Sequence, residues 1–184
     1  MFIQTENTPN PNCLKFIPGI EVMGKSDPIN IETKEQATVS ELTEKLFEFD
    51  FIKGVFLGSD FISVTKDEEF SWDVIKPDIL VSIMEFFVHD RKVIRDSSID
   101  QKSYYNEDDD EIVKQIKEII EHRVRPAVAQ DGGDITFNRF VDGIVYLELK
   151  GACSGCPSST VTLKEGIESM LKHYVPEVIA VEAV

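Results

Sequence analysis

The first half of the 184-residue chain alternates short apolar runs with two segments of helical spacing. Apolar positions in FIQTE, LKFIPGIEV, KGVFLG and DFISVT predict short strands, and the turn at residues 58–60 predicts that the last two form a hairpin. A capping box at residues 38–41 predicts the start of one helix. Ser71 as cap and Pro77 as the first helical residue predict a second helix. Residues 1–95 are therefore predicted to form a small α+β domain.

The second half starts with a polar segment, residues 96–109, which ends in an acidic cluster and is predicted to be a linker. Apolar residues then recur on one helix face, and Pro126 is predicted to kink or loosen the last turns. Gly132-Gly133 ends this helix. Two strands joined by a hairpin at Asp142-Gly143, a further helix and a final strand follow. Residues 110–184 are thus predicted to form a domain of order αββαβ, and the fold class is α+β with two small domains.

The charge and hydropathy of the chain exclude two classes of partner. The net charge is −15 at pH 7, and the acidic residues are spread over both halves. Such a chain repels a nucleic acid or an anionic membrane surface. No apolar run approaches the roughly 20 residues that a membrane-spanning helix needs. We therefore expect no nucleic-acid partner and no membrane insertion.

The cysteine count and the N-terminal segment bear on the compartment. Three cysteines are too few for a disulfide framework. The segment MFIQTENTPNPN has neither the basic stretch and apolar core of a secretory signal nor the arginines of a transit peptide. We therefore expect a cytoplasmic location, with the bacterial cytoplasm as first choice and a processed mitochondrial form as the alternative. In a reducing compartment a CxxC pair is more often metal-binding or catalytic than a structural disulfide.

The segment KGACSGCPSST contains Cys153 and Cys156, separated by two residues. Gly151 is predicted to end a strand, and Pro157 is predicted to be the first residue of a helix. The two thiols would then lie at a helix N-terminus, where free amides and the helix dipole favour thiolates. The sequence thus predicts an exposed loop whose thiols ionise more easily than the thiol of an ordinary cysteine.

Two thiolates are half of the ligand set that a structural zinc ion or a common iron–sulfur cluster needs. The other candidate donors, none at ligand spacing to the pair, are Cys13, His89, His122 and His173. Two chains that each contribute Cys153 and Cys156 would complete a four-sulfur site across a two-fold axis. A thiol–disulfide oxidoreductase or a zinc-stabilised interaction module would use the same motif, and spacing alone favours metal binding only weakly.

Asp131 and Asp134 flank the Gly132-Gly133 pair and invite comparison with a catalytic pair of carboxylates. A tight helix-to-strand turn explains them more simply, with glycines for positive φ and aspartates that accept hydrogen bonds from loop amides. We therefore expect no catalytic residue at this turn.

The segments RPAVAQDGGDI and DGIVYLELKGACSGCPSSTVTLKEGIESML closely resemble the C-terminal domain of the NifU-like (Nfu) iron–sulfur scaffold family. TENTPNPNCLKF and, more loosely, SWDVIKPDIL resemble the N-terminal domain of that family. The resemblance implies a non-enzymatic scaffold or carrier that holds a [4Fe-4S] cluster, with [2Fe-2S] as the alternative, between two subunits through Cys153 and Cys156. It further implies apo-protein clients, upstream cluster-assembly partners and no role for Cys13. We expect the first domain to be a protein-interaction module.

Overall fold

The computed structural model describes residues 2–89, 91–95, 109–154 and 157–184, with the side chains of residues 157–160 left aside. Within these ranges the chain forms two α+β domains, each built around one sheet. The predicted linker lies outside the described residues except for Asp109. No helix in the described ranges is both long and apolar enough to cross a membrane.

The first domain is a five-stranded antiparallel sheet with helices on one face. Its strands lie in the order β1-β2-β5-β4-β3, and the predicted hairpin of β4 and β5 is confirmed. The elements of this domain are β1 Gln4–Asn7, β2 Cys13–Ile17, β3 Ile29–Ile31, a 3-10 turn Gln36–Val39, α1 Glu41–Leu46, β4 Ile52–Leu57, β5 Ile62–Lys66 and α2 Trp72–Val88.

The two-residue period of the strands divides the side chains of this sheet between two faces. Leu14 and Phe16 of β2 lie in the core with α2, together with Ile62 and Val64 of β5. Lys15, between the two β2 residues, reaches the second domain instead, where its ammonium group donates to backbone carbonyls. One face of the sheet is therefore apolar and helix-covered, and the other face meets the second domain.

The start of α1 differs from the prediction, and α2 agrees with the predicted cap position but not with the predicted place of Pro77. Helix α1 is capped by Ser40, whose hydroxyl accepts a hydrogen bond from a backbone amide, so the cap lies two residues after Thr38. Pro77 lies inside α2 rather than at its first position, because the helix already begins at Trp72. Ser71 occupies the predicted cap position, but its side chain makes no capping hydrogen bond.

The second domain has the predicted order αββαβ, with its first helix divided into three parts. The Asp142-Gly143 hairpin is confirmed, with φ of 52° and 80° at the two turn residues. Strand β8 pairs with β7 in parallel, so the sheet order is β6-β7-β8. The elements of this domain are α3 Glu111–Ile119, a π-helical segment Ile120–Val124, α4 Arg125–Gln130, β6 Gly133–Val141, β7 Ile144–Gly151, α5 Pro157–Tyr174 and β8 Ala180–Ala183.

The π-helical segment is how the first helix accommodates Pro126. Proline has no N–H group, and its ring clashes with the carbonyl four residues earlier. Immediately before it, the Arg125 amide donates to the carbonyl of Ile120, five residues back rather than four. The predicted loosening at Pro126 is thus confirmed, as a wider helical turn.

The core of the second domain lies between its helices and one face of the three-stranded sheet. It includes Ile116, Ile120, Ile135, Val145, Leu147, Ile167 and Leu171. Cys153 belongs to the same buried cluster. The CxxC segment therefore begins inside the domain rather than on its surface.

Candidate functional site

Cys153 lies on the turn that leads from β7 to α5. Strand β7 ends at Gly151, which has a φ of 66° that only glycine adopts without strain. The Ala152 amide donates to the Gly132 carbonyl at 3.2 Å, and both the amide and the hydroxyl of Ser154 donate to the Gly151 carbonyl at 3.1 Å and 2.8 Å. Helix α5 begins at Pro157 as predicted. Cys156 lies outside the described residues, so its role as a ligand stays a prediction.

The Cys153 side chain is only 6% exposed and packs against the backbone of Gly133. A Cβ atom at position 133 would lie 2.7 Å from the Cys153 Sγ and 2.6 Å from the Lys150 carbonyl oxygen. The predicted positive φ holds for Gly132, at 81°, whereas Gly133 is required by the close approach of the sulfur. The two glycines of the turn thus serve different physical needs.

Burial, together with nearby Asp131, Cys13 and Asp134, raises the pKa of Cys153 from an ordinary 9.0 to about 12. The expectations of an exposed loop and an easily ionised thiol are therefore wrong for Cys153. The loss of hydration disfavours the thiolate more than the helix N-terminus favours it. Cys153 is held here as a neutral thiol.

The first domain covers this turn with the second face of its sheet. The Lys15 ammonium donates to the carbonyls of Ala129 and Gln130, at 3.0 Å and 3.1 Å, at the end of α4. The Ser63 hydroxyl donates to the Gly132 carbonyl at 2.5 Å. These contacts hold the segment on one side of Cys153 against strands β2 and β5.

The strand end on the other side of Cys153 is held as well. The Gly151 amide donates to the Asn30 side-chain carbonyl, at 3.3 Å. A Cβ atom at Gly151 would lie 2.9 Å from the Phe56 ring, so that ring packs directly on the glycine backbone. Strands β3 and β4 therefore cover the segment that precedes Cys153.

Sequence reasoning missed these interdomain residues. A lysine or a serine in a short strand is expected to face water, and here both Lys15 and Ser63 are buried. The alternation in LKF and ISV was the available signal, since it places both residues on the face opposite the apolar core. The alternation indicates which face of the sheet Lys15 and Ser63 lie on, but it does not indicate that another domain covers that face.

A cavity of about 620 Å³ lies beside Cys153. Most of its walls are apolar side chains of the second domain, such as Val128, Leu163 and Met170. Pro9 of the first domain forms part of the same wall. The surroundings of the thiol are therefore shared between the two domains.

The Asp131–Asp134 turn does not form a carboxylate pair of equivalent groups. Asp134 is buried and accepts two hydrogen bonds from Arg125, at 2.8 Å and 2.9 Å, and Arg125 also binds Glu121 at 2.7 Å. Burial lowers the pKa of Arg125, but the hydrogen bonds to Asp134 and Glu121 outweigh this effect and raise it. The expected bonds from loop amides to Asp134 are replaced by this ion pair, which suits a structural role.

Cys13 is buried at 2% exposure, more deeply than a semi-buried small residue. Burial raises its pKa to about 11, and hydrogen bonds with Thr65 and Thr8 only partly offset this effect. Cys13 alternates with Leu14, as Lys15 does, and it contributes to the raised pKa of Cys153. The first domain thus contributes a buried thiol on the side of its sheet that faces the second domain.

Two of the histidines make local contacts within their own helices. The His122 ring lies 3.0 Å from the Glu118 carbonyl on its own helix, and His173 packs edge-on against Tyr174. Among the described residues, no group of three or more His, Cys, Asp and Glu side chains is placed to hold a metal ion.

Comparison with known proteins identifies both domains. A family model for the NifU-like domain matches residues 116–182, and a model described as scaffold protein Nfu/NifU N terminal matches residues 3–90. A solution NMR structure of a NifU-like protein from Saccharomyces cerevisiae is 28% identical, covers 52% of this chain and 85% of its own, and has a TM-score of 0.47.

Curated relatives match along the whole chain. The NFU1 iron-sulfur cluster scaffold homolog, mitochondrial, of Drosophila erecta is 46% identical over 184 residues, which is 100% of this chain and 65% of the relative. The protein of the same name from Drosophila persimilis is 45% identical with the same coverage. The chain thus spans 65% of the length of these relatives. Since the two family models match its two domains in chain order, the chain belongs to the NifU-like (Nfu) family.

Proposed function

We propose that this protein is an iron–sulfur cluster scaffold or carrier and not an enzyme. The observation that carries the proposal is Cys153, the first cysteine of the CxxC segment, on the β7–α5 turn of a NifU-like domain. Thiolates are the usual protein ligands of iron–sulfur clusters. The names of the relatives, which are iron–sulfur cluster scaffold homologs, support the same role.

A complete site requires two copies of the chain. Each copy offers Cys153 and Cys156, and a [4Fe-4S] cluster takes four cysteine ligands. Two copies related by a two-fold axis supply these four thiolates, so the loaded form is a homodimer. The resemblance of CSGCPSS to the family motif favours [4Fe-4S] over [2Fe-2S] as the cargo.

A ligand set divided between two subunits suits transfer. When the dimer separates, each copy retains only half of the sulfur ligands, and thiolates of an apo-protein client replace those that leave. Upstream cluster-assembly proteins supply the cargo. The first domain serves as the interaction module for these partners, a role that a pull-down with the full chain and with variants of that domain tests.

Two rival functions use the same motif. A thiol–disulfide oxidoreductase needs a reactive thiolate, and the buried Cys153 with its raised pKa is poorly suited to that chemistry. A zinc-stabilised module would copurify with zinc and unfold when a chelator removes it. The mitochondrial names of the relatives favour the organellar alternative over the bacterial cytoplasm as the location, and microscopy of a tagged protein in its own cell tests it.

Anaerobic reconstitution with iron and sulfide separates these functions. We expect the wild type to gain a cluster by absorbance, with iron and sulfide contents of one [4Fe-4S] per dimer and a dimeric mass, and Mössbauer spectroscopy to distinguish the two cluster types. Cys153→Ser and Cys156→Ser should each lose the cluster while keeping the fold. Cys13→Ala is the matched control and should load normally. A Cys153→Ser protein with a stoichiometric cluster, or a loaded monomer, would contradict the proposal.

A further inference from the structure

The contact between the two domains combines polar groups of the first sheet with the Phe56 ring, which packs on the Gly151 backbone. The side chains of Lys15, Ser63 and Asn30 all bond to main-chain atoms beside Cys153. Polar contacts of this kind are replaced by water when two surfaces separate, so they cost less to open than an apolar core. The hydrogen-bonded part of the interface is therefore separable, and separation would also expose the Phe56 ring, which is 2% exposed in this form.

This docked arrangement conflicts with a shared cluster. A sulfur that binds a cluster between two copies must face the partner copy, whereas Cys153 is 6% exposed. The first domain contacts two backbone segments near it, at Gly132 and at Gly151, both of which precede Cys153 in the chain. A second copy cannot approach these segments while strands β2, β3 and β5 cover them.

We propose that the first domain is a removable cap on the cysteine turn, and that it must undock before Cys153 can enter a cluster shared with a second copy of this chain. The inference rests on the proposed function, since it concerns access to the same site. The docked form protects the thiol of the empty protein. The undocked form exposes the turn to iron, sulfide and the partner copy.

Lys15 is the best residue at which to open the cap. Its ammonium group lies at the C-terminal end of α4, where the carbonyls carry partial negative charge. Glu6 on β1 pairs with this ammonium group at 3.7 Å, the Phe61 ring centroid lies 4.6 Å from it, and Asp131 is the residue that follows Gln130. Lys15→Glu would place a carboxylate against these carbonyls and acids and so favour separation.

The test measures the alkylation rate of Cys153 by iodoacetamide in the full metal-free chain, with the site resolved by tandem mass spectrometry. We expect Lys15→Glu to raise the rate by about tenfold, which is about 1.4 kcal/mol of docking free energy. Lys53→Glu is the matched control, because Lys53 lies on β4 of the same sheet, is more than half exposed and pairs with Asp67. It should leave the rate unchanged.

A second variant keeps the test decisive if Lys15→Glu does not fold by circular dichroism. Asn30→Ala removes the acceptor of the Gly151 amide from the other side of the turn and should raise the rate by roughly threefold. If Lys15→Glu and Asn30→Ala fold but their Cys153 is alkylated no faster than in Lys53→Glu, the proposal of a removable cap is overturned.

Reconstitution of the same proteins separates failure of the cap from failure of the proposed function. We expect Lys15→Glu to gain its cluster faster than Lys53→Glu. Equal loading rates would overturn the cap while leaving the scaffold role in place. If no variant and no wild-type sample gained a cluster, the scaffold role would fail, and the alkylation rates would still decide whether the cap exists.

Discussion

The two faces of the five-stranded sheet differ in what holds them to their neighbours. On the helix side, Leu14, Phe16, Ile62 and Val64 are at most 5% exposed and pack against α1 and α2. On the other side, buried polar groups such as Lys15 bond to the backbone of the second domain. One sheet thus carries an apolar contact on one surface and, on the other, a contact that combines hydrogen bonds with the Phe56 ring on Gly151.

The difference teaches which contact can open. Apolar surface gains stability only while it is kept from water, so separation of the helix side would unfold the domain. A hydrogen bond between two polar groups is exchanged for bonds to water, and its net contribution is about 1 kcal/mol. The helix side of the sheet therefore stabilises the fold of the first domain. The other side stabilises the docking of the first domain on the second.

The largest effect should come from the helix side. Ile62→Ala removes a fully buried side chain from the centre of the sheet. We expect a loss of about 2–5 kcal/mol in the free energy of unfolding, because the transfer energy is lost and a cavity remains. Denaturant titration measures it. A loss below about 1 kcal/mol would remove the distinction between the two faces.

Cys13, on the strand that also carries Lys15, should make the stability depend on pH in the alkaline range. Its pKa is about 11 in the folded protein against 9.0 for an ordinary thiol. Between these values the folded chain keeps the proton that the unfolded chain has lost, so the free energy of unfolding falls as pH rises from 9 to 11, by about 2–3 kcal/mol.

Cys13→Ala removes this contribution and flattens that part of the profile. Denaturant titrations of both proteins at pH 8, 9, 10 and 11 measure the difference, in which the titrating groups that Cys13 does not affect cancel. Parallel declines in the wild type and the variant would contradict the assignment to Cys13.

Gly133→Ala tests the packing of the cysteine turn itself. The added Cβ would meet the Cys153 Sγ and the Lys150 carbonyl at less than 3 Å. We expect a loss of about 1–3 kcal/mol in stability and a lower cluster yield, because the sulfur is displaced. Gly166→Ala is the control, since a Cβ there meets nothing within 4 Å and should stabilise α5 by roughly 0.5–1 kcal/mol. Equal effects of the two substitutions would refute the steric argument.

The smallest effect should come from a single hydrogen bond across the interface. Ser63→Ala removes the donor to the Gly132 carbonyl and should weaken docking by about 1 kcal/mol. We expect faster alkylation of Cys153 with little change in the main unfolding transition. Ser59→Ala, at an exposed hydroxyl that bonds only to its neighbour Asp60 among the described contacts, is the control. A Ser63→Ala protein with the alkylation rate of the control would show that this bond does not contribute to docking.

Local signals in the sequence were enough for most of the fold. Asp142-Gly143 specifies a hairpin because both residues adopt positive φ, and the αββαβ order follows from such signals in series. Pro77 was misplaced because proline marks a helix start only statistically, and α2 tolerates it in the second turn. The start of α1 could not be fixed from the sequence because Thr38 and Ser40 can both cap a helix, and it is Ser40 that accepts a hydrogen bond from the Leu42 amide.

The identity of the candidate site stays a prediction from the motif, and the environment of Cys153 could not be predicted from the sequence. The CxxC motif points to Cys153 from its spacing alone, and helix α5 begins at Pro157 as the motif predicts. The thiol is buried in the core cluster of its own domain, and Lys15 and Ser63, which are separated from it by about half the chain or more, bond to the Ala129, Gln130 and Gly132 carbonyls. The local periodicity of a sequence does not indicate which distant residues come into contact. The pKa of Cys153 was therefore predicted in the wrong direction.

Both domains belong to one polypeptide, and this covalent connection has a consequence for competition at the cysteine turn. The cap meets the turn at an effective concentration that the connecting chain fixes and that dilution does not change. A second copy meets the same turn at a concentration set by how much protein the cell makes. The abundance of the protein would thereby control cluster loading. At low concentration the docked form would dominate, and at high concentration two copies would pair.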